Sequence, residues 1–411
     1  VVEIEQRRRV IVIGGGFGGL AAARELDGAN ADVLLIDQHI YSTFQPLLYQ
    51  VATGGLNPGD ISYPIRGFTR TRSVRFRHAV VQRVDFVRRQ VHLDDGNDAL
   101  DYDYLVIATG ADVNYFGIPG AAENCVSLYH RRDALAVRDQ LLATFESLAS
   151  GQLSSAAIVL IGGGATGVEM AGTLAELRSA GLAAVYPEID PDSVQVVLVE
   201  QSDTLLAGFE EGLRRYALEE LTRRGVDVRL STTVTSVGRD HVETTQEAAI
   251  ATNLTVWTAG VGVRDWGLPR GRGGRILVGP DLSVQGVRGV FAVGDVAVAL
   301  DAPLAQLAQP AIQMGRHAGQ QIRRALDGRE TEAFSYSDRG TMATIGRRSA
   351  VVQLPWLQLR GTIAWLAWLG LHIVSLLGNR NRISALINLS WRYLSWPRGS
   401  GVIVGDVPDG P

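Results

Sequence analysis

Three glutamines interrupt an otherwise apolar run, AQLAQPAIQMG from Ala305 to Gly315, at positions 306, 309 and 313. Proline is favoured in the first turn of a helix, so the spacing predicts a helix starting near Pro310 with Gln309 at its mouth. Gln309 and Gln313 are then four apart and share a face. A primary amide both donates and accepts, so such a pair can hold a polar ligand, or equally satisfy buried backbone. Glu169, in the GVE that follows a glycine-rich turn, is the second candidate. A carboxyl there can relay a proton; in a helix first turn it can also merely complement the dipole.

Two glycine-rich turns say what these groups would serve. VIVI at 10–13 runs into Gly14, Gly16 and Gly19 in G-x-G-x-x-G spacing, and the helix-like LAAARELD follows. Such glycines permit a tight turn, backbone approach to a pyrophosphate and close strand–helix contact, at a helix end that favours negative charge. Asp37 ends the next strand, ADVLLID, 23 residues after Gly14, and a carboxylate there accepts from ribose hydroxyls. The pattern recurs: AAIVLI leads into Gly162, Gly164 and Gly167, and VQVVLVE ends in Glu200. That second gap is 38 residues, because RSAGLAAVYPEIDPDSV intervenes as a helix extension and loop. No arginine occupies 201–203, and Glu200 would repel a 2′-phosphate, so the second site should take NADH rather than NADPH.

Two further strands end in Thr109-Gly110 and in Gly294-Asp295. A Gly-Asp at a strand end lets backbone approach a second phosphate or a ribityl chain while the carboxylate accepts its hydroxyl hydrogens. The expectation is an α/β protein with two Rossmann-type domains, the second inserted in the first. FAD, held non-covalently, belongs to a discontinuous domain of 1–118 and 271–345, and NADH to 119–270. This arrangement would set nicotinamide against flavin for hydride transfer. A C-terminal region, 346–411, completes the chain.

Composition narrows the alternatives. Gly numbers 47 of 411 residues and hydrophobic content is 46%, which suits dinucleotide turns better than a bundle or a disordered chain. A net charge of −4 gives no footprint for nucleic acid. There is no lysine, which excludes a lysine Schiff base, and Cys125 is the single cysteine. A disulfide, a CxxC redox pair and a Cys-rich metal site are therefore excluded, and no metal is expected. The opening RRRVIVIGGG has too short an apolar run for a secretory signal and reads as a first strand of a cytoplasmic chain.

At this point the sequence resembles the type II NADH:quinone oxidoreductases, the single-subunit, non-pumping respiratory enzymes. The segments that carry the resemblance are VIGGGFGGLAAARELD, FQPLLYQVATGGL at 44–56, GVEMAGTLAEL at 167–177, VWTAGV at 256–261 and AQPAIQ at 308–313. The glycine motifs are common to many flavoproteins; FQPLLYQVA and AQPAIQ are the specific ones. The resemblance implies that NADH reduces FAD, which then passes two electrons to menaquinone or ubiquinone. It implies that Gln309 and Gln313 border the quinone, one amide serving both the carbonyl and the hydroxyl state. The helix N-terminus would favour the negative charge of reduced flavin. Glu169 would supply the second proton that quinone reduction needs, or position the nicotinamide. It further implies flavin contacts at Phe17, Gly18, Gln45, Val81, Ala108 and Ala308, and NADH contacts at Ala165, Thr166, Ala259 and Gly260. Phe44 and Tyr49, on an apolar helix, would pack near the flavin ring.

The last sixty residues hold Trp356, Trp365, Trp368, Trp391 and Trp396. The uncharged run from Gly361 to Gly378 sits at the threshold for a membrane span, but it contains His372 and two tryptophans, which prefer the interface. Ile383, Leu386, Ile387, Trp391 and Leu394 fall on one helical stripe, with Arg382, Asn388 and Arg392 outside it. That pattern predicts a helix lying in the headgroup region, with Arg380, Arg382, Arg392 and Arg398 meeting anionic lipid. Peripheral attachment to the cytoplasmic face of the membrane is expected over a span, and a homodimer through this region can coexist with it. Sulfide:quinone oxidoreductases need a cysteine pair that the chain lacks. Ferredoxin-type reductases have no use for the Trp-rich end. A flavoprotein that senses NADH without turnover is the rival from another class.

Overall fold

A computed structural model describes residues 7–94, 99–246, 249–300 and 302–395, with side chains described as far as Trp391. Leu394, Arg392, Trp396 and Arg398 of the expected lipid-facing set therefore lie outside the described side chains. The helices that matter below are α1 (Phe17–Glu25), α2 (Ala165–Glu176), α3 (Glu211–Arg223), α4 (Ala308–Leu326), α5 (Gly361–Ser375) and α6 (Asn379–Ser395).

The chain divides into two compact units. One is Val1–Ser42, Tyr63–Asp112 and Val261–Asp338; the other is Thr43–Ser62, Val113–Gly260 and Arg339–Pro411. The first is built on a five-stranded sheet in the order Val290–Ala292, Tyr104–Ile107, Arg8–Ile13, Ala31–Asp37, Val74–His78, every pairing parallel. The second repeats the plan with Val126–Ser127, Leu254–Trp257, Ala156–Ile161, Val194–Val199 and Asp227–Arg229, again all parallel. Parallel strands covered on both faces read as continuous apolar runs, and VIVI, VLLI, IVLI at 158–161 and VVLV are such runs, buried throughout. The expected α/β class with two Rossmann-type folds is what the chain adopts.

Register positions the glycine turns. Ile13 lies opposite Ile36, and Gly14 N–H donates to the Ile36 carbonyl at 2.8 Å. Ile161 lies opposite Val199, and Gly162 N–H donates to the Val199 carbonyl at 2.8 Å. The 38-residue gap leaves this register intact. Its surplus is absorbed by a π-helical turn, Leu177–Gly181, a short helix, Leu182–Val185, and a 3-10 turn, Pro191–Ser193.

α4 starts at Ala308 with Leu307 as its cap, two residues before the expected start. Pro310 is tolerated because the first few helical N–H groups have no carbonyl partner to lose. The apolar segment at 44–56 forms a 3-10 turn, Gln45–Leu47, and a short helix, Leu48–Ala52.

The C-terminal part of the second unit begins with an antiparallel sheet, Thr341–Gly346, Ser349–Leu354 and Leu357–Arg360. α5 and α6 follow, separated by extended backbone at Leu376 and a left-handed Gly378. The uncharged run is thereby cut to a helix of 15 residues, about 22 Å long against a hydrocarbon core of about 30 Å. Among the described residues no helix is long and apolar enough to cross a membrane. α6 turns its polar side chains inward: Asn381 donates to the Ser62 carbonyl at 2.8 Å, while Ser384 and Asn388 donate to the two Asp60 carboxylate oxygens at 2.6 and 2.7 Å. Those bonds explain why 43–62 groups with this unit.

Candidate active site

In the first unit the glycines act by close approach. Gly14 has φ 105°, and a Cβ there would stand 2.3 Å from the Ala108 carbonyl oxygen; a Cβ on Gly19 would stand 1.8 Å from that of Gly14. Gly16 has open space around its Cα at the mouth of α1, the room a pyrophosphate needs. Asp37 accepts from Gly15 N–H at 2.5 Å and from His39 N–H at 2.6 Å, which closes the loop and leaves lone pairs for hydroxyls. At the neighbouring strand ends, polar groups await a partner. Among the described residues the Thr109 hydroxyl is buried with no hydrogen-bond partner. Asp295 is pushed up by burial and held back by Arg275, and among the described residues its carboxylate accepts no hydrogen bond. A buried acceptor, an orphan hydroxyl and an open phosphate cradle fit a flavin dinucleotide with its ribityl hydroxyls. Val81, buried in the same unit, gives its carbonyl to Arg264 at 2.7 Å.

The second unit repeats the cradle. Gly162 has φ 113°, a Cβ there would meet Ala259 at 2.9 Å, and one on Gly167 would stand 1.9 Å from the Gly162 oxygen. Gly164 is open, and Ala165 and Thr166 begin α2. Glu200 accepts from Gly163 N–H at 2.5 Å and from Ser202 N–H at 2.7 Å, the same double closure that Asp37 makes. Against Gly260, residues 115–118 form a tight turn closed by Ile118 N–H to the Tyr115 carbonyl at 3.0 Å. Both central residues have positive φ, Phe116 at 53° and Gly117 at 69°. For a residue with a Cβ that conformation costs about 1–2 kcal/mol.

Glu169 is the fifth residue of α2, and α2 has no acid in its first turn, so complementing the helix dipole is not its role. It is buried, and burial pushes its carboxyl up to about 8. The Thr344 N–H donates to it at 3.3 Å. The Trp368 indole N–H, also buried, favours the charged form but reaches no acceptor at good hydrogen-bond geometry, so that contact is loose. Trp368 stacks on His372 with ring centroids 4.2 Å apart and lies 6.2 Å from the Tyr49 ring, while Phe44 meets His372 edge-on. His372 bonds the Trp368 carbonyl at 2.8 Å, and burial pushes it down to about 4. Gln45 follows Phe44 at the start of the 3-10 turn in the same unit.

The glutamines divide their duties. Gln306 donates to the Asp295 carbonyl at 3.1 Å. Gln313 clasps the Ser337 backbone, donating to its carbonyl at 2.9 Å and accepting from its N–H at 3.0 Å. The Gln309 amide has no such tether among the described residues. Ala308 and Gln309 open α4 in the first unit, whereas Glu169 belongs to the second.

The profile of the pyridine nucleotide-disulphide oxidoreductases matches residues 8–315. Two relatives from Mycobacterium tuberculosis, the type II NADH:quinone oxidoreductases Ndh and NdhA, are 35% and 36% identical, over 96% and 98% of this chain and 90% of each relative. The chain belongs to the type II NADH:quinone oxidoreductases. NDH2 from Plasmodium falciparum, solved in complex with NADH, shares the fold at a TM-score of 0.86 and 19% identity, covering 94% of this chain and 98% of that one. A sulfide:quinone oxidoreductase from Aquifex aeolicus follows at a TM-score of 0.74 and 19% identity, covering 94% and 95%.

In this type II oxidoreductase several supporting residues escape a sequence reading. Gly172 lies one turn beyond Glu169, and a Cβ there would stand 2.2 Å from the Ile345 carbonyl, so it lets α2 dock against the strand that carries Thr344. Gly315 and Gly319 bring α4 onto α1, where added Cβ atoms would stand 2.0 Å from the Gly18 carbonyl and 2.7 Å from Glu25. Their four-residue spacing was a visible signal for a close helix contact.

Proposed function

We propose that the chain is a peripheral membrane flavoprotein that passes two electrons from NADH through non-covalent FAD to menaquinone or ubiquinone, without pumping protons. The observation that carries this reading is the pair of cradles, each closed by a strand-end carboxylate, in a chain whose buried Glu169 holds its proton at neutral pH. Bound in the first cradle, the flavin supplies the two-electron acceptor for NADH and the donor for quinone. Asp37 and the open face at Gly16 would hold the adenosine and pyrophosphate, with Asp295, Thr109 and Gly110 on the ribityl side. Phe17, Gly18, Val81, Ala108 and Ala308 would complete its surroundings in the first unit.

In the second cradle Gly162, Gly164, Ala165, Thr166 and Gly167 would take the NADH pyrophosphate, with Ala259 and Gly260 beyond it. Glu200 accepts ribose hydroxyls there and repels a 2′-phosphate. Glu169 holds a proton on its carboxyl in a site that excludes water. Gln309, with its amide unspent, would donate to a quinone carbonyl. Sulfide chemistry is disfavoured, because Cys125 is single and buried, its thiol pushed up to about 12. The outward apolar stripes of α5 and α6 suit the cytoplasmic face of a membrane carrying anionic lipid.

Anaerobic stopped-flow mixing tests the reading through the flavin absorbance. NADH should bleach it rapidly, NADPH at limiting concentration about tenfold or more slowly, and a soluble quinone should restore it. Restoration no faster with quinone than in buffer would favour a flavoprotein that senses NADH without turnover.

A further inference from the structure

Phe116 departs from two habits of its residue type. The residue is 61% exposed, and its backbone is left-handed at φ 53°. Residues 115–118 carry the φ signs of a type I′ turn, whose first central position ordinarily holds Asn, Asp or Gly. Phenylalanine there bears strain, and an exposed ring recovers little of it by burial. Strain of this kind persists where function requires it. The turn is also braced: Phe116 N–H donates to the Asn114 side chain at 2.8 Å, and the Trp257 indole donates to the Asn114 carbonyl at 3.2 Å.

What the ring covers gives the reason. A Cβ on Gly260 would stand 2.2 Å from the Phe116 ring, so the ring rests on bare backbone. Gly260 follows the strand Leu254–Trp257, which pairs with Ala156–Ile161 on the side opposite Val194–Val199. Glu200, just past Val194–Val199, marks the adenosine side. A dinucleotide that crosses Gly162–Gly167 from there must run its other half toward Ala259 and Gly260. Gly162 and Ala259 are already in contact distance.

We propose that Phe116 is a binding residue for the nicotinamide half of NADH, its ring offering a flat apolar surface beside the glycine turn. The proposal rests on the reading of 162–167 as the NADH site. A ring that faces solvent until the cofactor arrives explains both the exposure and the tolerated strain.

Phe116→Asn gives the turn the residue it prefers and removes the ring. The thermal midpoint should rise by about 1–2 °C, while the NADH concentration for half-maximal flavin reduction rises about five- to tenfold. Phe116→Tyr keeps the ring and should restore the affinity. A structural role moves the two readouts differently: a lower midpoint with unchanged affinity overturns the proposal, as does a higher midpoint with unchanged affinity. If NADH fails to reduce the wild-type flavin, the site reading itself falls and takes this proposal with it. Normal reduction in wild type and variant alike removes Phe116 alone.

Discussion

Glu169 shows how one residue's surroundings become a property that can be measured. It is buried against the Thr344 N–H and the Trp368 indole, and no charged side chain acts on it from α2, from the Thr341–Gly346 strand or from α5. Burial outweighs the two hydrogen bonds that favour the charged form, and its carboxyl is pushed up from 4.5 to about 8. Between those values the folded chain keeps a proton that the unfolded chain has released, so raising the pH favours unfolding. The wild-type thermal midpoint should fall as pH rises from about 5 to about 8, a slope that Glu169→Gln should lose. Quinone-driven flavin reoxidation should slow in the wild type as pH passes about 8 and its proton is lost. In Glu169→Gln that limb should vanish, leaving a lower, flatter rate. A variant that keeps the same alkaline limb would move the proton source elsewhere. The sequence placed Glu169 beside the glycine turn but could not give its burial, because Thr344 and Trp368 come from far along the chain.

At the scale of the element, α4 was legible and its partners were not. Proline, glutamine spacing and the apolar period marked a helix whose Gln309 and Gln313 share a face, and the helix is there. The double bond from Gln313 to Ser337 had no signal, since 329–340 is irregular chain with no period to read. That bond changes the expectation for the pair. Gln309→Ala should slow reoxidation by quinone about tenfold while NADH still bleaches the flavin at the wild-type rate, as expected for a lost donor to a developing charge. Gln313→Ala should act first on the segment it tethers, with faster amide exchange around Ser337 and a smaller effect on reoxidation. Paired stopped-flow and hydrogen-exchange runs separate the two residues. Slow bleaching with normal reoxidation in Gln309→Ala would assign the helix mouth to the nicotinamide side instead. Phe116 was missed for a related reason: a left-handed backbone outside glycine leaves no mark beyond the glycine that follows it.

At the scale of the molecule, the two sheets were readable because each strand is a short apolar run ending in a turn. The interleaving of 43–62 with the chain's end was not, because it depends on Asp60 meeting Ser384 and Asn388. Those bonds also fix which way α6 faces. On α5, Ile363, Leu366, Leu371 and Val374 point to solvent in i, i+3, i+8 and i+11 order, while Trp368 is fully buried. On α6, Ile383, Leu386, Ile387 and Trp391 are exposed while Ala385 and Leu389 are buried. A helix that spends Asn and Ser on its own protein and turns isoleucine outward inverts the usual order for a chain in water. Arg380 and Arg382 are exposed beside them, a composition suited to anionic headgroups over an acyl layer. Each buried isoleucine is worth about 1.5–3 kcal/mol, so Ile383→Asp with Ile387→Asp should shift the protein from the membrane pellet to the supernatant by at least about a hundredfold. Flavin content and NADH bleaching should be kept, since both side chains are exposed on α6. Wild type should resist high salt and yield to detergent. Easy extraction of wild type by salt would reduce the attachment to charge alone, and a double variant that stays in the pellet but turns from dimer to monomer would give this face to a second copy of the chain.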